Sequence, residues 1–313
     1  MTVSDKWRQD YRQDRYLEQV SPDEIEQRVR DIFTNVLVLS EDGKLSLPAM
    51  EKGTGYWMQL FTHVLEEFAL RKQWVRPGFL KDNPMPIPTW PEMPRAAQAV
   101  SGRVFEPGKF LFKFGKQEHL RSTLENGTIR LAPASSYSDP SLNYAIRDDE
   151  LHFTVQMPAK DTWIQKVDEK TLNPVAGKIK ALGNISFTQT VPSDYYVYCL
   201  SGLFTFRAFD DFQADACLVI KQPKQFIEQV LFAGFAKLPN WFARVGAVDY
   251  LDPLRTSRED VRAFFAKHFR YSYQNELRIV WVPENRQQNL QPVFIETGPL
   301  HEIAEEIIVL PSE

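Results

Sequence analysis

Six prolines fall between Pro77 and Pro94, at positions 77, 84, 86, 88, 91 and 94. Each lacks an amide hydrogen and fixes φ at about −65°, so the run can neither continue a helix nor join the middle of a sheet. The run predicts an extended connector, with Met85, Ile87 and Trp90 laid against the rest of the protein. The chain then divides into a helical region 1–76, a wrapped connector 77–103 and a third part 104–313.

In the first part, Ser21-Pro22-Asp23-Glu24 combines an N-cap serine, a proline at the first helical position and a glutamate at the third. Ile25, Val29, Ile32, Phe33 and Val36 follow at helical spacing. A second helix is predicted from the stripe Trp57, Leu60, Phe61, Val64, Leu65 and Phe68. Nearer the start, Lys6, Arg8, Arg12 and Arg15 interleave with Trp7, Tyr11 and Tyr16. That pattern suits stacking on single-stranded nucleic acid, and equally the polar face of a helix.

From about residue 104 the texture changes to short β runs. Strands are predicted at 109–114, 128–131, 151–156, 186–190, 195–200, 216–220, 276–282 and 293–296. Helices are predicted at 118–125, 224–231 and 258–269, the last from a Thr256–Glu259 capping box and a face of Val261, Phe264 and Phe265. Strands mixed with sparse helices predict an α+β class: a helical N-terminal region followed by a mixed β-sheet domain.

The 313 residues are 43% apolar and 13% aromatic, enough to bury a large core and too apolar for disorder. A net charge of −4 argues against a broad nucleic-acid surface but leaves room for a local basic groove. Cys199 and Cys217 lie in apolar runs and read as buried, reduced thiols. No stretch has the roughly 18 apolar residues of a membrane helix, and the first sixteen residues lack a signal peptide's apolar core. The expectation is a cytoplasmic protein without a membrane partner.

Several common chemistries have no motif here. There is no phosphate loop, no G-x-G-x-x-G and no H-E-x-x-H, and Ser201 lacks the first glycine of a nucleophile elbow. The histidines at 63, 119, 152, 268 and 301 have no ligand spacing. Asp148-Asp149-Glu150 reads either as a hard-cation site or as a charged turn before a strand.

Four islands remain. They are Phe110-Leu111-Phe112-Lys113-Phe114, Ser135-Ser136-Tyr137-Ser138-Asp139-Pro140, Tyr196-Val197-Tyr198-Cys199-Leu200-Ser201 and Tyr271-Ser272-Tyr273-Gln274-Asn275-Glu276-Leu277-Arg278-Ile279. Their order resembles an uncharacterised bacterial, phage-defence-associated domain family with Lys-Tyr, Phe-Asn-Asp-Pro, Cys-x-Ser and Glu-x-Glu-x-Arg-Ile motifs. Here Lys113-Phe114, Tyr137-Ser138-Asp139-Pro140, Cys199-Leu200-Ser201 and Asn275-Glu276-Leu277-Arg278-Ile279 stand in those places. Gln274 replaces the first glutamate and Ser138 the asparagine. The resemblance spans about 108–296.

The layout is also similar to the NAD-dependent ADP-ribosyltransferases. That resemblance implies NAD as substrate and a protein or nucleic-acid acceptor. It implies a toxin or anti-phage effector, with an antitoxin or chaperone as a further partner. Glu276 would be catalytic, with Tyr137 or Ser201 as the middle residue. Lys113, Phe114, Ser138 and Arg278 would lie at the cofactor, Lys113 departing from the usual His or Arg. Tyr137, Phe212 and Tyr273 are the candidate walls for nicotinamide, since flat ligands favour aromatic surroundings. The plainer alternatives are a surface ion pair for Glu276 and Arg278 and an outward-facing Lys113. At the level of function, they are a non-catalytic binding module or a NAD glycohydrolase.

Overall fold

The computed structural model describes residues 1–39, 45–46, 55–76 and 93–309. Most of the proline-rich connector, 77–92, lies outside the described residues. The chain is mixed α+β, and the strands of its main sheet pair antiparallel.

Three helices open the chain: α1 (Val3–Gln13), α2 (Pro22–Val36) and α3 (Gly55–Arg71). The Ser21–Glu24 capping box starts α2, Ser21 Oγ accepting from the Glu24 amide and the Glu24 carboxylate from the Ser21 amide (3.0 Å). A short ladder, β1 (Val38–Leu39) with β2 (Leu45–Ser46), lies between α2 and α3. The basic N-terminal run is consumed locally. Arg12 and Arg15 bond Glu66 (2.6 Å) and Glu67 (2.8 Å) of α3, and Arg8 reaches Glu66 at 3.4 Å. Three of the run's four cations are thus tied to buried carboxylates, as the helix-face alternative expects.

After the connector come α4 (Met93–Ala99), β3 (Leu111–Gly115), α5 (Gln117–Asn126), β4 (Thr128–Pro133) and β5 (His152–Met157). Helix α4 lies within the span expected to be wholly connector. The β6 (Trp163–Val167) and β7 (Pro174–Lys180) hairpin precedes β8 (Ile185–Thr190), which pairs with β5. Then follow β9 (Tyr196–Ser201), α6 (Arg207–Asp211), β10 (Ala216–Ile220), α7 (Pro223–Lys237), β11 (Trp241–Ala247), β12 (Asp249–Leu251) and β13 (Ala266–His268). The chain closes with β14 (Glu276–Pro283), β15 (Val293–Glu296) and β16 (Ala304–Ile308).

The central sheet runs β11-β14-β9-β3-β10-β16, with β4 pairing both β9 and β15. One face packs on α5 and α7 through Leu120, Leu124, Phe226 and Val230, against Leu218, Ile279 and Trp281. A cluster of phenylalanines, including 112, 114, 204 and 209, fills a second core with Ala96 and Val100.

The expected helix over 258–269 does not form. Its residues make one 3₁₀ turn, Arg258–Asp260, and then strand β13, parallel to β12. The Thr256–Glu259 capping box fails because Glu259 is held by Ser257 and by Arg258 (2.7 Å). The apolar face also divides: Val261 and Ala266 pack with Val155, whereas Phe265 packs with Tyr195 and Val280. Tertiary burial overrides the helical spacing.

The helical front shares its interior with the β-rich part. Phe269 lies in the same core as Ile25, Ile32 and Leu60. Buried Arg28 bonds buried Asp252 at 2.9 Å, and the Tyr273 amide donates to Asn35 Oδ1 at 2.9 Å.

Candidate active site

The main cavity, about 460 Å³, opens where the sheet splits. Along one edge of β9, Val197 pairs with Ala132 of β4, whereas Ser201 pairs with Phe112 of β3. The two partners diverge between those registers, and the edge of β9 around Cys199 is left without a ladder neighbour. Lys113 of β3 turns into that gap and donates to the Cys199 carbonyl at 2.9 Å, its ammonium 4.7 Å from the Tyr198 ring centre. Burial lowers its pKa, and no carboxylate pairs with it among the described residues.

On the other side of β9, β14 pairs Glu276 with Ser201 and Arg278 with Cys199. Glu276 is the first residue of β14, and the chain reaches it through Asn275, which adopts φ 45°, a left-handed conformation asparagine tolerates. The Gly202 amide donates to the Asn275 carbonyl at 2.7 Å, and a β-carbon at Gly202 would stand 2.5 Å from Asn275 Oδ1. A side chain there would have to displace the Asn275 amide group, so the approach favours glycine.

Glu276 is surrounded by charge. Oε1 accepts from Lys267 Nζ at 2.7 Å and Oε2 from Arg278 Nε at 3.0 Å, while its amide donates to Tyr250 Oη at 2.7 Å. Burial works against the carboxylate, but Lys267 and Arg278 outweigh it and hold its pKa down to about 2. Arg278, wholly buried, also clamps Glu150 with two bonds of 2.6 and 2.8 Å. Burial raises the pKa of Glu150 despite that clamp. Lys267 further donates to Gln274 Oε1 at 2.8 Å, and Gln274 Nε2 donates to the Ala145 carbonyl at 2.7 Å. A carboxylate at 274 could accept the first bond but could not donate the second, which gives glutamine its place there.

Tyr137 sits on a 3₁₀ turn, Ala134–Ser138, pinned when the Ser135 amide donates to Asp194 at 3.0 Å. Its ring lines the cavity, and its hydroxyl has no protein partner among the described residues. Phe114 and Phe212 supply a stacked pair on the same wall, with ring centres 6.4 Å apart. A second cavity of about 300 Å³ continues past Lys113, Tyr137 and Arg130 towards Lys116 and His119, and no carboxylate among the described residues lines it. The two together form a trough with Glu276 and Glu150, paired with Lys267 and Arg278, at one end and Lys113, Arg130 and Lys116 towards the other.

Six of the nine residues singled out in the sequence line this trough: Lys113, Phe114, Tyr137, Ser201, Phe212 and Glu276. Ser201 spends its hydroxyl on backbone, within 2.7 Å of the Leu203 carbonyl and 2.9 Å of the Gln274 carbonyl, so it braces the loop that delivers Glu276. Arg278 lies behind Glu276 and orients it. The other two lie elsewhere. Ser138 donates to the Ser135 carbonyl at 2.8 Å on the exposed side of its turn. Tyr273 faces a different cleft, with the Arg207 guanidinium 3.6 Å from its ring centre. Cys199 contributes its carbonyl; burial pushes its thiol up to about 12, which leaves it unreactive at neutral pH.

Lys267 and Arg130 belong to the site and carried no sequence signal as functional residues; Glu150 reads only within a cation site or charged turn, and Gln274 only as the replacement of a motif glutamate. Lys267 fell in the stretch expected to be helix. The acidic turn 148–150 contributes Glu150 to an arginine clamp, and no group of three or more metal-ligating side chains occurs among the described residues. Against protein-family models, curated proteins and solved structures, the chain finds no match.

Proposed function

We propose that the chain is a NAD-dependent ADP-ribosyltransferase, of the fold type that name implies, which modifies a macromolecule as a toxin or anti-phage effector in the cytoplasm. The observation that carries this reading is a single cavity lined by an ionised, rigidly held carboxylate, Glu276, a cation without a carboxylate partner, Lys113, and aromatic walls, Phe114, Phe212 and Tyr137. Its volume lies within the roughly 300–1,000 Å³ of small-molecule sites.

The chemistry follows from the charges. In NAD the nicotinamide ring is cationic. When the bond between its nitrogen and the ribose C1′ breaks, the electron pair leaves with the ring, which becomes neutral, and positive charge passes to the ribose. The transition state is oxocarbenium-like, as in glycoside cleavage. A carboxylate with its pKa held near 2 is a poor proton acceptor but a permanent negative charge, and Glu276 is suited to stabilise that cation and accept from a ribose hydroxyl. Its two bound cations fix its orientation before substrate arrives. Lys113 and Arg130, towards the other end of the trough, suit the pyrophosphate. The acceptor's nucleophilic atom then bonds to C1′ and releases its proton to solvent.

The test is incubation with adenylate-labelled NAD and a bacterial lysate, followed by nuclease or protease digestion. Label retained on a macromolecule is the expected result. Label only in free ADP-ribose would make the protein a NAD glycohydrolase. No NAD consumed would reject both enzymatic readings in favour of a binding module.

A further inference from the structure

The main sheet ends in two unlike edges. At one end β16 carries Glu305 and Glu306 in mid-strand, bonded to Arg103 at 2.5 Å and to Arg121 at 3.5 Å. Charges so placed keep an edge strand from pairing with another chain. At the other end β11 has no such guard. Its sequence Trp241-Phe242-Ala243-Arg244-Val245-Gly246-Ala247 holds a single charge, and Phe242 is 63% and Val245 39% exposed.

The ladder fixes which backbone groups of β11 are spare. The Val248 amide donates to the Glu276 carbonyl at 3.0 Å and the Glu284 amide to the Asn240 carbonyl at 3.3 Å. Even-numbered positions therefore exchange bonds with β14, and the amides and carbonyls of Trp241, Ala243, Val245 and Ala247 point away from the sheet. Two of these are already bonded: the Trp241 amide donates to the Leu238 carbonyl at 3.2 Å, and the Ala247 carbonyl accepts from Arg262 at 3.1 Å. Between them, the amides of Ala243 and Val245 and the carbonyls of Trp241, Ala243 and Val245 have no protein partner among the described residues. A row of free groups on an exposed, apolar edge suits the addition of one more strand.

The strand that fits is β11 itself. A two-fold axis through Ala243, normal to the sheet, sets Ala243 opposite its copy, and the two exchange amide-to-carbonyl bonds. The Val245 amide then meets the partner's Trp241 carbonyl, and the same bond recurs by symmetry. Residues opposite one another share a face of the sheet. Trp241 thus packs beside the partner's Val245, and Phe242 faces the partner's Arg244 in a cation–π pair made once on each side of the axis. Centring the axis on Arg244 would instead set two guanidinium groups opposite each other, which is destabilising. Centring it on Phe242 would carry the Val245 amide past the end of the partner's strand, opposite Pro239.

We propose that the chain forms a two-fold dimer through β11, joining two main sheets into one, with Phe242 of each copy against Arg244 of the other. The pairing stands whether or not the chain consumes NAD. Because β11 adjoins β14, which begins at Glu276, the dimer would carry two main cavities on one continuous sheet.

Sedimentation velocity of the full chain between about 1 and 100 µM should show the mass rising from one chain towards two. Phe242→Ala, at an exposed side chain, removes both cation–π pairs and should raise the dissociation constant about 5- to 30-fold. Ala243→Pro removes an amide that the protomer does not use, as edge strands tolerate, and should leave only monomer. Circular dichroism confirms that each variant is folded. Register is read by mixing Phe242→Cys protein with Arg244→Cys protein under oxidising conditions. Their Cα atoms, in a non-hydrogen-bonded pair about 4.5 Å apart, fall within the roughly 4.4–6.8 Å of disulfides. The mixture should cross-link and neither variant alone should, since burial keeps Cys199 and Cys217 unreactive. A native chain that stays monomeric throughout that range would overturn the proposal. So would a dimer unaffected by Phe242→Ala, a dimer that persists in folded Ala243→Pro, or cross-linking by either cysteine variant alone.

Discussion

Replacing Lys267 with methionine removes one of the two cations that keep Glu276 ionised, while roughly preserving the volume of the buried stem. The Glu276 pKa stands at about 2 against an ordinary 4.5, a difference that stabilises the fold by about 3 kcal/mol. The folded value lies below the unfolded one. The stabilisation is therefore complete above pH 4.5 and is lost as pH falls towards 2. In Lys267→Met, Glu276 keeps only Arg278, and Gln274 Oε1 loses its donor at 2.8 Å. Removing one partner of a buried ion pair costs about 3–5 kcal/mol, and the remaining arginine places the expected loss near the lower end. Urea unfolding at pH 7 should show a deficit of about 3 kcal/mol that begins to narrow at pH 3.5, where the variant's Glu276 is partly protonated and the native one is not. The acid limb of nicotinamide release should move up by roughly one to two pH units. A deficit that is equal at both pH values, together with an unmoved acid limb, would refute the electrostatic account of Glu276.

Two further outcomes follow from particular contacts. On the proposed function, in which Lys113 meets the pyrophosphate, Lys113→Gln should raise KM for NAD about 10- to 100-fold with a smaller change in kcat, because a charge-assisted bond is worth about 1.5–3 kcal/mol; steady-state kinetics would read the split. Gly127→Ala should destabilise the fold by about 2–4 kcal/mol, measurable by thermal melting. Gly127 caps α5 at φ 73°, and a β-carbon there would stand 2.1 Å from the Gly298 carbonyl oxygen.

Much of the architecture was legible because local signals agreed with tertiary demand. The Ser21 capping box and the stripe behind it gave α2 its start and its buried face, and β10 and β15 begin and end where their apolar runs do. The misses have physical causes. Strand β11 exposes Phe242 on one face and Val245 on the same face that packs Trp241 and Ala243 against the core, so the apolar alternation is blurred. Strand β16 places Glu305 and Glu306 mid-strand, where Arg103 bonds Glu305 at 2.5 Å.

The site divides in the same way. Glu276, Lys113 and Tyr137 stood out as polar chemistry on rigid or turn positions. Glu150 and Lys267 gained their places only through three-dimensional register: Glu150 meets Arg278 across 128 positions of chain, and Lys267 reaches Glu276 only because 258–269 is not a helix. Most of the phenylalanines proved structural: Phe204 and Phe209 are packed in the second core, whereas Phe112, Phe114 and Phe212 belong to that core and also line the cavity.

The most direct measurement is nicotinamide release from NAD by the native chain and by Glu276→Gln. The substitution keeps the shape and an acceptor oxygen for one of the two donors, Lys267 or Arg278, removes the charge, and turns an NH2 towards the other. The account expects native release, and in the variant a loss of at least about 100-fold, as for removal of a principal electrostatic stabiliser, with circular dichroism unchanged. Equal release by both proteins, or none by the native chain under any acceptor condition, would contradict it.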